Sequence, residues 1–315
     1  MEGKRATGVE FLRGGRREVL NCRAEVILAA GAIGSPQLLQ LSGIGAGGLL
    51  QGLGLPVVHE NPNVGAHYSD HHGLNYTWRM KVPTYNDMLR PWWGKLFVGL
   101  QYFLTGGGPL SKSINHGGGF FRTRPELDRP NMQLYMQAFS TLLPRAGERP
   151  LLTPDPFPGL SLGLSNCRPT SRGHVAITSP DPLAHPAITA NAYATPEDVS
   201  EMLLAVKFLR KIAAQPSFAR WVEAELRPGP AVQSDEELIA DFRARSGTVY
   251  HPSCTCRMGP DPATSVTDPR LRVHGIQGLR VIDAAAFPNL IAGNTNAPAI
   301  LMGWMGAAKV LEDAR

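Results

Sequence analysis

Ala24-Glu25-Val26-Ile27-Leu28-Ala29-Ala30 runs directly into Gly31-Ala32-Ile33-Gly34-Ser35-Pro36 and then Gln37-Leu38-Leu39-Gln40-Leu41. After Glu25 the first run holds no polar residue, which reads as a strand buried on both faces, as in a parallel sheet. The glycines break it; Ser35 can cap a helix and Pro36 suits the first helical position. A strand, a glycine turn and a helix N-terminus together present backbone N–H groups to an anion or a cofactor. Near the other end, Leu279-Arg280-Val281-Ile282-Asp283-Ala284 reads as a second short buried strand, closed by an acid that can cap a helix. A small-residue loop, Gly293-Asn294-Thr295-Asn296-Ala297-Pro298, leads from there into the apolar segment 299–310. Both ends of the chain therefore read as pieces of one nucleotide-binding domain, residues 1–69 and 247–315, with residues 70–246 inserted between them.

The inserted part has a different character. Gly106-Gly107-Gly108-Pro109 and Gly117-Gly118-Gly119 punctuate it, and a proline-rich loop covers 151–159. Thr195-Pro196-Glu197-Asp198 opens a helix through Ile212, with Val199, Met202, Leu203, Val206, Leu209 and Ile212 at helical spacing. Ser234-Asp235-Glu236-Glu237 opens a second helix in the same way, and strand signals such as 174–178 alternate with turns. These features predict an antiparallel sheet with helices. Closer to the start, 8–12 and 18–22 read as two strands around the turn Arg13-Gly14-Gly15-Arg16.

At 315 residues the chain exceeds what one hydrophobic core usually serves, which agrees with two domains. Lys and Arg exceed Asp and Glu by five, and the basic residues are scattered. That balance suits an anionic small ligand and does not point to nucleic acid. No apolar run reaches the roughly 20 residues of a membrane helix; the nearest, 297–308, contains Pro298, Gly303 and Gly306. Met1-Glu2-Gly3-Lys4-Arg5 leads to no signal-peptide core. Four cysteines make no disulfide framework and fit a reducing, cytoplasmic setting.

Tyr250-His251-Pro252-Ser253-Cys254-Thr255-Cys256-Arg257-Met258-Gly259 is the densest chemical segment. A zinc site could draw on His251, Cys254 and Cys256, with His274 as a fourth ligand, but Cys-x-Cys holds its sulfurs awkwardly close. The plain alternatives are a histidine buried in a tight loop and two small buried thiols.

Taken together, the motifs resemble one family. Residues 31–39, closing with Leu41-Ser42-Gly43-Ile44-Gly45, resemble the second signature of the glucose–methanol–choline (GMC) oxidoreductases. Pro62-Asn63-Val64-Gly65 and Asp70-His71 are similar to its next loop, and 250–259 resembles its catalytic-histidine motif. Val281-Ile282-Asp283-Ala284 and 293–300 resemble its closing flavin-contact block, while Ser179-Pro180-Asp181-Pro182 to Asn191-Ala192-Tyr193 is similar to a substrate-domain stretch. Within the family the likeness leans toward choline dehydrogenase-like alcohol dehydrogenases.

The resemblance implies an α/β plus α+β fold: an incomplete Rossmann-like FAD-binding domain carrying an inserted antiparallel-sheet-and-helix substrate domain. It implies FAD, no metal, and oxidation of the CH–OH group of a primary alcohol to an aldehyde by proton abstraction and hydride transfer to flavin. His251 is then the base and Asn296 the amide on the substrate oxygen, with Asn294 as the alternative. Asp283 and Ala284 are expected beside the phosphate and ribityl portion. Asn296, Ala297 and Pro298 are expected by the pyrimidine edge, and Ala30 and Gly31 near the adenosine half. The family's opening Gly-x-Gly-x-x-Gly turn does not begin this chain, so the resemblance is to the larger, C-terminal part of such a protein. A non-redox FAD-containing lyase and an inactive fragment are the competing readings. His116, in Ile114-Asn115-His116-Gly117, stands about where choline-oxidising members carry a glutamate, which argues against choline. The particular alcohol, the electron acceptor and the oligomeric state have no sequence signal.

Overall fold

The computed structural model describes residues 1–142 and 153–314, so part of the proline-rich loop at 151–159 and the last residue lie outside it. The fold is mixed α/β and divides into two compact units. One comprises Met1–His71, Arg168–Thr195 and Tyr250–Arg315; the other comprises His72–Cys167 and Pro196–Val249. The sequence predicts a single inserted part over all of 70–246, whereas 168–195 belongs with the chain ends. Backbone bonds explain this. Tyr68 and Gly173 exchange N–H···O bonds of 3.0 and 2.9 Å, and the Val175 N–H donates to the Gly65 carbonyl at 2.8 Å.

In the first unit, strands Val26–Leu28 and Leu279–Val281 pair in parallel, bringing the two ends of the sequence together. Val281 and Leu279 are buried with Val26, Ala32, Leu39, Ile44 and Leu271 in one core cluster. Val26–Leu28 is not covered on both faces, contrary to its all-apolar composition: Ile27 remains 44% exposed. Val26, whose side chain points to the opposite face, is buried, so one face of the strand is packed and the other is not. The strands Gly8–Arg13 and Arg16–Asn21 form the expected antiparallel hairpin. Gly14 and Gly15 both take positive φ, as a two-residue hairpin turn requires.

The helix spans Gly31–Leu41 and starts earlier than Ser35 and Pro36 suggest. Its first turn is secured from a distance: the Gly31 N–H donates to Asp283 Oδ2 at 2.9 Å. Ser35 therefore lies inside the helix, where its hydroxyl donates to the same oxygen at 2.5 Å and accepts from the Ala30 N–H. Pro36 lies inside the helix and has no N–H to give the Ala32 carbonyl four residues earlier; that carbonyl accepts from Thr255 Oγ1 at 2.7 Å instead.

The second unit is built on an antiparallel sheet with the order Val222–Arg227, His72–Met80, Gly159–Asn166, Met132–Gln137, Gly117–Phe121; Gly247–Thr248 pairs with His72–Met80 off this path. Two helices, Pro196–Ala213 and Asp235–Arg245, accompany it. Met202, Ala205, Val206 and Leu209 form the buried stripe of the first. Ser234 and Glu237 complete a reciprocal capping box on the second, as their spacing predicts. Among the described residues no helix is long and apolar enough to cross a membrane.

Gln40 is the side chain on which the 168–195 segment hangs. It is buried, its amide donates to the carbonyls of Val64 and Val175 at 3.2 and 3.0 Å, and its oxygen accepts from the Ile177 N–H at 2.9 Å. Gly65 lies against the same contact. Its φ is +81°, and a Cβ there would stand 2.1 Å from the Val175 carbonyl oxygen, so no other residue fits. Gln40→Ala strands three buried backbone groups and should lower unfolding stability by about 3 kcal/mol. A urea midpoint within experimental error of wild type would contradict this.

Candidate active site

The segment after Tyr250 is held by backbone pairing on two sides, all within the first unit. Ser253 and Ser69 exchange N–H···O bonds of 2.9 and 3.1 Å. Beyond them, the N–H groups of Cys254, Cys256 and Met258 donate in turn to the carbonyls of Ala284, Ala285 and Ala286. Thr255 Oγ1 donates to the Ala32 carbonyl at 2.7 Å, which ties the loop to the helix after the glycine turn. Tyr250 and Cys254 both take positive φ, at +64° and +71°, so the chain bends sharply on each side of His251. Non-glycine residues accept that conformation at a cost, and it persists where the surroundings over-determine it.

Two consecutive residues hold His251. Asp70 Oδ1 accepts from the His251 backbone N–H at 3.0 Å, and Asp70 Oδ2 accepts from the Tyr68 hydroxyl at 3.0 Å. His71, 1% exposed, brings its Nδ1 to 2.8 Å from His251 Nδ1, with the two rings nearly perpendicular. The other side of the imidazole is open to chemistry: Asn294 Nδ2 lies 3.5 Å from His251 Nε2. Burial depresses the His251 pKa below its ordinary 6.5, and the Asp70 carboxylate opposes that shift. The ring is thus neutral and able to accept a proton at pH 7. Burial and Asp70 together push the Tyr68 hydroxyl well up, which keeps it a donor to the carboxylate.

The expected cofactor residues gather at the carboxyl ends of the parallel strands. Ala30 and Gly31 come after Val26–Leu28; Asp283 and Ala284 come after Leu279–Val281. Asp283 joins the two, its Oδ2 receiving Gly31 and Ser35 and its Oδ1 receiving the Ala285 N–H at 2.7 Å. Its carboxylate therefore braces the turn. Asn296, Ala297 and Pro298 form the first turn of the helix Asn296–Asp313. Ala299 and Met302 of that helix pack with Cys254, Ala284, Phe287 and Leu290.

The two asparagines stand differently to His251. Of the two exposed asparagines, Asn294 is the one whose amide lies beside His251, while Asn296 starts the helix. Residues 294 and 296 are chemically identical and two apart, so composition cannot choose between them. Asp70 and His71 are legible in the sequence only as part of a loop motif; a contact across 180 residues leaves no spacing signal. Among the described residues no histidine, cysteine and carboxylate group is arranged to hold a metal. His274 Nε2 instead meets Ser265 Oγ and the Gly259 carbonyl at 3.0 and 3.1 Å. Cys254 and Cys256 are buried free thiols. His116, in the second unit, stacks on Tyr85 and accepts from the Ala138 N–H.

Comparison with known proteins bears on this arrangement. Two family models, both described as GMC oxidoreductase, match residues 1–72 and 169–303, together about two thirds of the chain. The chain is 39% identical over 309 residues to an oxygen-dependent choline dehydrogenase of Burkholderia multivorans, covering 98% of this chain and 53% of that protein. It is 38% identical over 304 residues to an alcohol dehydrogenase (acceptor) of Pseudomonas putida, covering 96% and 54%. A formate oxidase variant of Aspergillus oryzae RIB40, studied for its FAD modification, superimposes with a TM-score of 0.88 at 26% identity, covering 98% of this chain and 57% of that one. The chain thus spans about half the length of the curated relatives it matches.

The Asp70 charge is the main electrostatic support for a protonated His251. Asp70→Asn should move the His251 pKa further down, read by NMR titration of the imidazole signals; an upward shift would contradict the assignment. The same shift fixes the sign of its effect on stability. Because the folded-state pKa lies below the ordinary 6.5, the unfolded chain binds more protons as pH falls through that range, and His251 contributes a loss of stability in acid.

Proposed function

The chain belongs to the GMC oxidoreductase family, whose cofactor is FAD, and on that premise we propose that it oxidises the CH–OH group of a primary alcohol to an aldehyde. The observation that carries this reading is the half-buried, neutral His251, with Nε2 directed to the Asn294 amide. A base of lowered pKa beside an amide donor suits removal of a hydroxyl proton while the oxygen is held in a hydrogen bond.

FAD can be tested against the residues present. The turn at Gly31 and the start of Ala284–Ala286 lie together at the carboxyl edge of two parallel strands, where α/β folds bind nucleotides. The position of a Gly31 Cβ has no atom within 4 Å, so backbone there is open to a ligand. An 18-residue helix begins at Asn296, and its first-turn N–H groups form a positive pole. These features fit FAD and support reading the first unit as part of a Rossmann-like FAD-binding domain. Ala30, Gly31, Ala284, Ala297 and Pro298 would hold it, with Asp283 bracing the turn. The second unit, which is the expected inserted part without 168–195, is the proposed substrate domain. When bound, FAD supplies the hydride acceptor.

This chain's own part in the reaction concerns the proton. The substrate O–H bond breaks, the proton passes to His251 Nε2, and the electron pair stays on oxygen. Asn294 replaces Asn296 in the expected role: its amide donates to that oxygen as charge develops. The resulting imidazolium is stabilised by Asp70.

In the FAD-loaded protein, anaerobic addition of a primary alcohol should bleach the flavin absorbance. His251→Ala should retain bound flavin and slow that bleaching by a factor of ~10² or more. Because the base must be unprotonated, the rate should rise with pH through an apparent pKa below 6.5 and stay level near neutrality. No bleaching by any alcohol would favour a lyase or an inactive protein; an undiminished rate in the variant would remove His251 as the base.

A further inference from the structure

The two nitrogens of His251 have different neighbours, and those neighbours decide where its single proton sits. On one side is the Asn294 amide, whose NH₂ group donates and offers no lone pair. With that NH₂ group 3.5 Å away, the arrangement that gives both groups a partner leaves Nε2 bare and puts the proton of the neutral ring on Nδ1. Nδ1 lies 2.8 Å from His71 Nδ1, a distance that requires one proton between the two nitrogens. His251 donates it and His71 accepts it, so His71 carries its own proton on Nε2. The opposite arrangement would put the His251 proton on Nε2, facing the Asn294 donor and unable to receive anything from a substrate.

We propose that His71 is a positioning residue that fixes the tautomer of His251 by accepting its Nδ1–H, leaving Nε2 free as the proton acceptor. The inference rests on the reading of His251 as the base and deepens it. An imidazole in water favours the Nε2–H form, which is the unreactive one here, so the productive tautomer has to be imposed. An acceptor on the far ring nitrogen is the usual physical means of doing so. His71 is well suited to it. It is buried, so no water competes for the bond, and with its Nδ1 accepting it is uncharged, so the proton stays on His251. The groups facing His251 then divide the work. Asp70 takes the backbone N–H and supplies negative charge, Tyr68 holds Asp70 in place, His71 orients the ring, and Asn294 faces the reactive nitrogen. After proton uptake at Nε2, His251 still donates Nδ1–H to His71; no proton moves on to His71.

The test compares wild type with His71→Phe, which keeps a ring but has no acceptor, and His71→Asn, whose side-chain oxygen can accept the same proton. Long-range ¹H–¹⁵N correlation spectra of the ¹⁵N-histidine-labelled protein, at a pH above the His251 transition, read the tautomer directly. The expected result is Nδ1–H in wild type, a shift toward Nε2–H in His71→Phe, and recovery in His71→Asn. In the FAD-loaded protein the pH-independent rate of flavin reduction should fall ~10-fold or more in His71→Phe, with KM changed less than ~2-fold, and recover in His71→Asn. Nε2–H in wild type would overturn the proposal, and that spectrum needs no variant to fold. So would an unchanged tautomer in a His71→Phe protein whose circular dichroism matches wild type. Should the tautomer respond as expected while His251→Ala still reduces flavin normally, the base assignment fails and the hold of His71 on the ring stands.

Discussion

Asp70 and His71 grip a residue 180 positions further along the chain, one by its backbone and the other by its ring. Everything chemical in the first unit depends on that grip. A histidine on an exposed loop would sample several rotamers and both tautomers, and would titrate near its ordinary pKa. Here the segment is pinned by Ser69 on one side and by the Ala284–Ala286 carbonyls on the other. Positive φ at Tyr250 and Cys254 brackets the site, a local strain that the surrounding hydrogen bonds hold in place. The result is a half-buried imidazole with one nitrogen committed inward and the other directed to an amide.

The same unit solves a second problem, which is to bring sequence-distant pieces to one edge. Strands Val26–Leu28 and Leu279–Val281 lie side by side, and Asp283 spans their ends by binding Gly31 and Ser35. That carboxylate starts the Gly31–Leu41 helix without a local cap. The loop carrying His251 then bonds to Ala284–Ala286, directly after Asp283, so the proposed cofactor edge and the proposed base share one rigid connection. Arg280, buried beside them, is satisfied by Glu25 at 2.7 Å and Asp313 at 2.7 Å, which anchors the end of the last helix to the same strand pair.

Local signals in the sequence are readable because their causes are local. Gly14-Gly15 dictates a hairpin, Ser234 with Glu237 dictates a helix start, and the apolar spacing from Val199 to Ile212 dictates a buried stripe. The features that the sequence hides share a different cause. The helix begins at Gly31 because Asp283, 252 residues away, receives its first N–H. Residues 168–195 join the first unit because one glutamine, Gln40, completes their hydrogen bonding. Asn294 is selected over Asn296 by three-dimensional approach to His251, and His71 has no pattern to mark it beyond its place after Asp70. Motif resemblance points to the proposed base; only folded geometry supplies its partners.

In the proposed reaction His251 and Asn294 share one substrate oxygen. A crystal structure of the FAD-loaded protein with a non-reactive alcohol analogue tests it most directly. The analogue's oxygen is expected within hydrogen-bond distance of both His251 Nε2 and Asn294 Nδ2. A well-ordered analogue whose oxygen contacts neither, or contacts Asn296 in place of Asn294, would contradict it.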